Sequence, residues 1–311
     1  MKAIASGVSI RALGYLVALA EERHFGRAAE RCFVSQPTLS AQIKKLEEQL
    51  GVDLVERSQR RVMLTDVGEQ IVTRARRVLQ EVEAVCELAR GHQDPLSGEI
   101  RVGLIPTIGP YLLPLVSTAL RKQLPRLRLL LLEHQTHALL EALDRGDLDL
   151  AVLALPVDRE GLEVEPLYEE PFLAALPAGH RLSQRPHLKV SDLEGETLLL
   201  LEDGHCLRDQ ALDVCSHVDV NEPQDFRATS LETLRQMVAS GVGVTLLPKL
   251  ATERPYARTP GLAVRPLRNP EPGRRVAGVW RRTDPRSTTM REICRVIRET
   301  MAHRKGVVRS V

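Results

Sequence analysis

VSQPTLSAQIKKLEEQLG, residues 34–51, reads as one helix with both ends marked. Ser35 offers a hydroxyl to the first free amides, and Pro37 falls in the first turn, where its missing N–H costs nothing. Leu39, Ile43, Leu46 and Leu50 recur on one face, and Gly51 supplies the left-handed residue that closes a helix. The remaining surface carries Gln36, Thr38, Ser40, Gln42 and Lys44. Glutamine can pair with adenine, and serine or threonine can reach base edges or phosphates. The pattern predicts a buried stripe beneath a surface suited to a DNA groove.

The flanks agree. Upstream, Ile10 to Glu22 carries Leu13, Leu16, Val17 and Ala20 at helical spacing. Arg23 to Glu30 begins a short helix whose Ala28 and Ala29 let a neighbour approach closely. Two such helices make a helix-turn-helix, whose second member enters the major groove. Downstream, VDLVERSQRRVMLTDVG, residues 52–68, sets two short apolar runs around Arg57, Arg60 and Arg61. That predicts a β-ribbon wing with a basic tip for phosphate or minor-groove contact. From Arg23 to Thr65, eight Lys and Arg residues outnumber five Asp and Glu residues, a mild lean towards a polyanion. A solvated basic hairpin is the plainer reading, but helix order, polar helix start and basic wing together favour double-stranded DNA. The predicted DNA contacts are Ser35, Gln36, Pro37, Thr38, Ser40, Gln42, Lys44, Arg57, Arg60 and Arg61.

Thr65 is placed to cap a long helix running to about residue 90. Its apolar positions, Ile71, Ala75, Val78, Val82, Val85 and Ala89, form a heptad seam. Such a seam needs a partner, and a second copy of the chain is the simplest, presenting two recognition helices to two half-sites. Packing on the chain's own C-terminal part is the alternative. GHQDPLSG, residues 91–98, breaks the helix and reads as a linker.

From Glu99 the pattern alternates strand and helix. EIRVGLIP, LRLLLLEHQ and LDLAVLAL read as strands, separated by helices led by Thr107 and Thr136. This is βαβαβ and predicts a parallel sheet. A second set follows: PFLAALPAG, ETLLLLED, a segment with two cysteines, and FRATSLETLRQMVASGVGVTLLP. Two α/β halves suggest a cleft between them. Thr107, Thr136 and Ser230 are predicted to cap helices just after strand ends, where open α/β folds bind ligands. The stretch after Met301, AHRKGVVRSV, reads as a basic, frayed tail.

The expected organisation is therefore a winged helix-turn-helix over 1–64, a linker and dimerisation helix over 65–90, a hinge over 91–98 and a regulatory α/β domain of two subdomains over 99–311. Hydrophobic residues at 43% and charged residues at 27% exclude a disordered chain, and aromatics at 3% leave the cores to aliphatic side chains. The first apolar run is cut by Glu21 and Glu22, too soon to span a membrane, and no A-x-A cleavage site follows. The expectation is a soluble cytoplasmic protein, in which five cysteines do not make a structural disulfide framework.

FGRAAERCFVSQPTLSAQIKKLEEQLGVDLVER, residues 25–57, resembles the DNA-binding region of LysR-type transcriptional regulators. GLIPTIGPYLLP, EHQTHALLEALDRGDLDL, LEDGHCLRDQALDVC and the FRATSLETLRQMVASGVGVTLLP stretch resemble the peroxide-sensing branch of that family. The resemblance covers almost the whole chain. It implies a winged helix-turn-helix, a dimerising linker helix and a two-subdomain regulatory domain of periplasmic-binding-protein type II. It implies tetramers, hydrogen peroxide as the signal, RNA polymerase as a partner, a glutathione- or glutaredoxin-type reductant for resetting, and no cofactor.

The resemblance makes Cys206 the thiol that peroxide attacks and Cys215 the one that resolves it. The residues add support. A thiolate, not a thiol, attacks peroxide. Cys206 follows a buried-looking strand and begins a predicted short helix, where the helix dipole and Arg208 favour the anion. His205 and Asp209 are placed to orient it, and the resemblance puts the Thr107 and Thr136 hydroxyls beside it. If residues 206–215 are helical, the cysteines stand ~13 Å apart along the axis, whereas a disulfide wants Cα atoms within about 7 Å. Joining them then requires the segment to refold. Three other readings compete. His205, Cys206, Cys215 and His217 could hold zinc, but adjacent His and Cys rarely reach one tetrahedral ion. The thiols could be inert packing, with the chain sensing an organic ligand in the cleft. A thiol peroxidase is a third reading, but an enzyme has no use for the first ninety residues. Cys32, Cys86 and Cys294 read as structural.

Overall fold

Among the described residues of the first ninety, three helices are followed by a two-stranded ribbon and one long helix. The computed structural model describes residues 7–57, 62–91, 95–223, 227–253, 259–304 and 306–309, with only the backbone at 57 and 87–91. Arg60 and Arg61 lie outside the described residues, as do the side chains of Arg57 and Ala89. The chain divides into two compact units, Met1–Arg90 and Gly91–Val311.

In the first unit every helix start is capped by a side chain. α1 (Ile10–Glu22) begins at Ser9, whose hydroxyl accepts from the Ala12 N–H at 3.1 Å. α2 (Phe25–Arg31) begins at His24, whose Nδ1 accepts from Gly26 and Arg27. α3 (Gln36–Leu50) begins at Ser35, which accepts from Thr38 at 3.3 Å, and ends on Gly51 at φ 71°. Leu16, Leu19, Leu39, Ile43 and Leu46 fill the shared core. β1 (Val55–Arg57) and β2 (Val62–Leu64) pair antiparallel as the ribbon. Glu47, buried on α3, accepts from the Leu54 and Val55 N–H groups at 2.9 and 3.2 Å and so ties the recognition helix to the ribbon.

α4 (Asp66–Gly91) starts at Thr65, whose hydroxyl accepts from Gly68 N–H at 3.0 Å and donates to the Asp53 carbonyl at 2.8 Å. A Cβ at Gly68 would lie 2.2 Å from the Leu54 carbonyl oxygen, so the close approach of helix to ribbon requires glycine there. The seam divides in two. Ile71 and the neighbouring Val72 pack into the first unit's core, so the start of the heptad is spent on the chain's own head, and Ala75 is buried. Val78 and Val85 are exposed, at 43% and 65%.

The second unit is a curled sheet with helices on its faces. β3 (Gly98–Leu104), α5 (Gly109–Gln123), β4 (Leu127–Glu133), α6 (Thr136–Arg145) and β5 (Leu150–Ala154) form the expected βαβαβ, with β3 parallel to both β4 and β5. The rest corrects the parallel expectation. β6 (Leu162–Pro177) is a single long strand, and β9 (Gly273–Arg281) returns between β5 and β6, antiparallel to both. The first half of β6 pairs with β9. Its second half pairs with β7 (Thr245–Pro248) and β8 (Leu262–Pro266), so one strand serves both halves of the unit. α7 (Cys206–Val214), α8 (Leu231–Ala239) and α9 (Ser287–Ala302) complete it. One apolar core runs through both halves, from Leu104 and Leu153 to Leu200 and Leu247.

Three smaller expectations also change. ETLLLLED is no continuous strand: Thr197, Leu198 and Leu201 each make an isolated parallel bridge, and Leu198–Leu201 are buried. Of the three predicted caps only Ser230 acts as one, accepting from Thr233 N–H at 3.2 Å. The cap positions of α5 and α6 are Ile108 and Gln135, leaving the Thr107 and Thr136 hydroxyls free for other work. The tail is not frayed over 307–309: Val308 is buried, and Arg309 exchanges two backbone hydrogen bonds with Glu169, both 2.9 Å.

Candidate redox site and DNA-binding head

Cys206 is the first residue of α7 and Cys215 is its C-cap, so the nine-residue helix separates the two thiols end to end. At 1.5 Å rise per residue that is ~13 Å along the axis. Both are free thiols. The turn that delivers Cys206 depends on Gly204, whose φ is +92° and whose added Cβ would lie 2.5 Å from Gln135 Oε1. Glycine alone fits there, and its bare Cα lets the turn press against the start of α6.

The charge beside Cys206 comes from Arg274 on β9, which the sequence reading missed. Arg274 Nη1 donates to Thr107 Oγ1 and Nη2 to the Thr107 carbonyl, each at 2.9 Å. Its Nε donates to Glu170 Oε2 at 2.9 Å, and Glu170 Oε1 accepts the Leu250 N–H at 2.7 Å. All three side chains are buried. Thr107 Oγ1 accepts from Arg274, which leaves its own proton available. The Thr136 hydroxyl lies beside the thiol and favours its ionised form. It is buried and has no other partner among the described residues, so its proton is available to the sulfur.

Burial dominates the thiol's ionisation and pushes its pKa up. Arg274, the Thr136 hydroxyl and the Leu207 N–H pull the other way, whereas Asp209 raises it further. The expectation of a resting thiolate held by Arg208 is therefore corrected. Arg208 turns away to Asp203 at 2.9 Å and Glu222 at 2.7 Å. His205 is buried and pushed towards its neutral form by that burial, with Glu202 3.8 Å away opposing. Burial also raises Cys215. Among the described residues no group of three or more His, Cys, Asp or Glu is placed to hold a metal ion.

In the head, Gln36, Pro37, Thr38 and Lys44 are exposed on α3, while Ser40 and Gln42 are half-buried. Ser35 is exposed but engaged, with its Oγ 2.7 Å from Thr38 Oγ1. Phe33, in the turn before α3, is almost fully exposed at φ 55°, a position sequence reasoning did not single out.

A winged helix-turn-helix joined in one chain to a two-half α/β sensing unit defines a bacterial DNA-binding regulator. The family models agree: residues 10–69 match the bacterial regulatory helix-turn-helix protein of the lysR family, and residues 93–302 match the LysR substrate binding domain. The chain belongs to the LysR family of transcriptional regulators. It is 49% identical over 294 residues to the hydrogen peroxide-inducible genes activator of Pectobacterium carotovorum subsp. carotovorum, covering 94% of this chain and 97% of that one. Among solved structures it is similar to full-length OxyR of Pseudomonas aeruginosa carrying a Cys-to-Asp change (TM-score 0.78, 41% identity, 94% of this chain and 95% of that one). It is also similar to a peroxide-bound Cys-to-Ser mutant of Corynebacterium glutamicum OxyR (TM-score 0.66, 35% identity, 95% and 93%). No helix among the described residues is long and apolar enough to cross a membrane.

Proposed function

We propose that the protein is a transcriptional regulator switched by hydrogen peroxide at Cys206. The observation that carries this reading is the placement of one thiol at a helix start, beside the Thr136 hydroxyl and Arg274, whose guanidinium also holds Thr107, while its mate waits at the other end of the same helix. The names of the relatives point the same way.

The chemistry follows from those groups. The Cys206 thiolate attacks one peroxide oxygen; an S–O bond forms and the O–O bond breaks. The sulfur loses two electrons, and the departing hydroxide takes a proton to become water. The Thr107 and Thr136 hydroxyls and the Arg274 guanidinium stabilise the charge as it moves to oxygen. Arg274 and the helix start also select the ionised thiol from a mostly protonated resting pool. The Cys215 thiolate then attacks the sulfenic sulfur; an S–S bond forms, the S–O bond breaks, and a second water leaves. Closing that bond brings Cα atoms from ~13 Å to within about 7 Å, so α7 unwinds. A thiol reductant of the glutathione or glutaredoxin type reverses the disulfide. Such a device turns over once per signal, as a switch rather than an enzyme.

The rest of the assignment is of the same kind. Residues 1–64 bind DNA through Ser35, Gln36, Pro37, Thr38, Ser40, Gln42, Lys44 and the wing arginines. Residues 65–90 pair two chains through the exposed part of the seam, 91–98 are the hinge, and 99–311 sense and relay. The working form is a cytoplasmic dimer or tetramer that contacts RNA polymerase. The test is a DNA footprint of reduced and peroxide-treated protein, repeated with Cys206→Ser. A footprint that changes with peroxide in the parent and not in the variant is expected; a change that survives in the variant refutes the reading.

A further inference from the structure

Of the three charged side chains on α7 only Arg208 is buried; Asp209 and Asp213 are exposed. Its partners lie off the helix, on both sides of it in sequence. Nε lies 2.9 Å from Asp203 Oδ1, in the turn before α7, and Nη2 donates to Glu222 Oε1 at 2.7 Å, beyond Cys215. Arg227 closes a ring: Nη1 donates to Asp203 Oδ2 at 2.8 Å, and Nη2 lies 3.8 Å from Glu222 Oε1. Two guanidiniums and two carboxylates leave the ring neutral.

The ring has a fixed part and a moving part. Asn221 and Ala228, the chain neighbours of Glu222 and Arg227, are bridged in parallel to Thr197 and Leu201. The Asn221 N–H donates to the Glu196 carbonyl and its carbonyl accepts from Leu198, both at 2.9 Å. The Ala228 N–H donates to the Leu200 carbonyl at 3.2 Å, and its carbonyl accepts from Glu202, the neighbour of Asp203, at 2.9 Å. Leu198–Leu201 are buried, so Asp203, Glu222 and Arg227 all stand beside anchored backbone. Arg208 instead rides on α7. Joining the thiols brings the helix ends from ~13 Å to within about 7 Å, and a side chain inside that segment loses its place against partners that stay behind.

We propose that Arg208 is a positioning residue for disulfide closure: its pairs with Asp203 and Glu222 form an ionic catch that holds α7 closed in the reduced protein. The inference rests on the peroxide reading above. Arg227 keeps both acids when Arg208 leaves, so the receiving half of the catch survives opening and the helix can return on reduction. The catch holds by a modest margin. Asp203 is 79% exposed, so water weakens its pair. Arg208 Nη1 is buried without a partner among the described residues, a cost that offsets part of what the two pairs contribute. A device that stabilises only the dithiol form makes the disulfide easier to reduce. Removing it shifts the equilibrium towards the disulfide and leaves the attack of Cys206 on peroxide alone.

The test is the midpoint potential of the Cys206–Cys215 couple in glutathione buffers, measured on the full chain. Arg208→Gln is expected to shift the equilibrium about tenfold towards the disulfide, which is about 30 mV more negative. Glu222→Gln and Arg208→Lys, which keep part of the catch, are expected to move the same way by less. Arg227→Gln leaves both Arg208 pairs in place and is expected not to move that way. Sulfenic acid formation at Cys206, read in a Cys215→Ser background, is expected to keep the parent's rate in Arg208→Gln. Amide exchange over α7 in the reduced protein, which needs no peroxide, is expected to quicken about tenfold in Arg208→Gln. Glu222 is partly exposed, so Glu222→Gln decides alone if Arg208→Gln fails to fold. The catch is overturned if neither variant shifts the potential, or if Arg227→Gln shifts it as far as they do. A parent chain that forms no Cys206–Cys215 bond would instead overturn the peroxide reading, and exchange in the reduced helix would still decide the catch.

Discussion

Arg274 grips Thr107 twice, by its hydroxyl and by its backbone carbonyl, both at 2.9 Å, across 167 positions of sequence. The guanidinium's remaining edge is neutralised by Glu170 at 2.9 Å. One buried cation therefore joins β9, β6 and the start of α5 at the place where Cys206 enters from α7. The grip also orients Thr107: with Arg274 donating to its oxygen, the hydroxyl keeps its own proton available to donate.

That orientation makes Thr107 a measurable contributor. Thr107→Val keeps the side-chain volume and removes the donor. Loss of one donor aimed at developing charge costs about 10²–10³-fold in a fully formed oxyanion hole, and less where other donors share the charge. Stopped-flow oxidation of Cys206 is expected to slow by about ten- to a hundredfold, with DNA affinity of the reduced protein unchanged. Thr136→Val, which removes a hydroxyl with no competing partner, is expected to act in the same direction.

Arg274→Gln separates charge from structure. It leaves Glu170 buried without its cation, and breaking a buried pair costs about 3–5 kcal/mol. Chemical denaturation is expected to show a loss of that order. The Glu170→Gln/Arg274→Gln double variant is expected to recover most of the stability while remaining slow to oxidise, because the cation that favours the thiolate is still missing.

Gly204→Ala meets two penalties, a left-handed φ of +92° and a contact of 2.5 Å to Gln135 Oε1. Destabilisation of about 1–3 kcal/mol is expected. Adding Gln135→Ala removes the clash and not the φ penalty, so the double variant is expected to recover part of the loss, read as a double-mutant cycle.

The pH dependence has a defined sign. Cys206, Cys215 and Cys294 are all raised above the ordinary thiol value of 9.0, chiefly by burial. Between the unfolded and folded pKa values the unfolded chain binds fewer protons, so stability falls as pH rises. Thermal melts are expected to hold up to the unfolded thiol value and to decline above it, less steeply in Cys294→Ala relative to its own neutral-pH melt. Below its raised pKa, Cys206 gains about tenfold in thiolate per pH unit, and its oxidation rate is expected to follow.

Much of the head was legible because its signals are local. Ser35, Thr65 and Gly51 act where their chemistry says, and three of the four stripe residues, Leu39, Ile43 and Leu46, are buried, while Leu50 at the helix end is exposed. The helical segment between Cys206 and Cys215 was legible for the same reason. Arg274 was not, because its partners Thr107 and Glu170 lie 167 and 104 positions away and no spacing rule connects them. The antiparallel insertion of β9 escaped for a related reason: a buried strand reads alike in either direction, and only non-local pairing decides. Arg208 misled because proximity in sequence is not proximity in space; its guanidinium is taken by Asp203 and Glu222.

The exposed part of α4 has its own test. Val85 is 65% exposed and touches nothing the head needs, so Val85→Glu is expected to leave the first unit folded and weaken self-association at least tenfold in sedimentation equilibrium. Val72→Glu is expected to unfold the head instead, since Val72 is buried in its core.

The account stands on α7 opening when its two ends are joined, and amide hydrogen exchange over residues 206–215 reads this directly. In the reduced protein these amides should be protected as a packed helix. After peroxide, in protein shown by mass to carry the Cys206–Cys215 bond, protection across the segment is expected to fall by about a hundredfold or more. Undiminished protection in the disulfide-bonded protein would contradict the account.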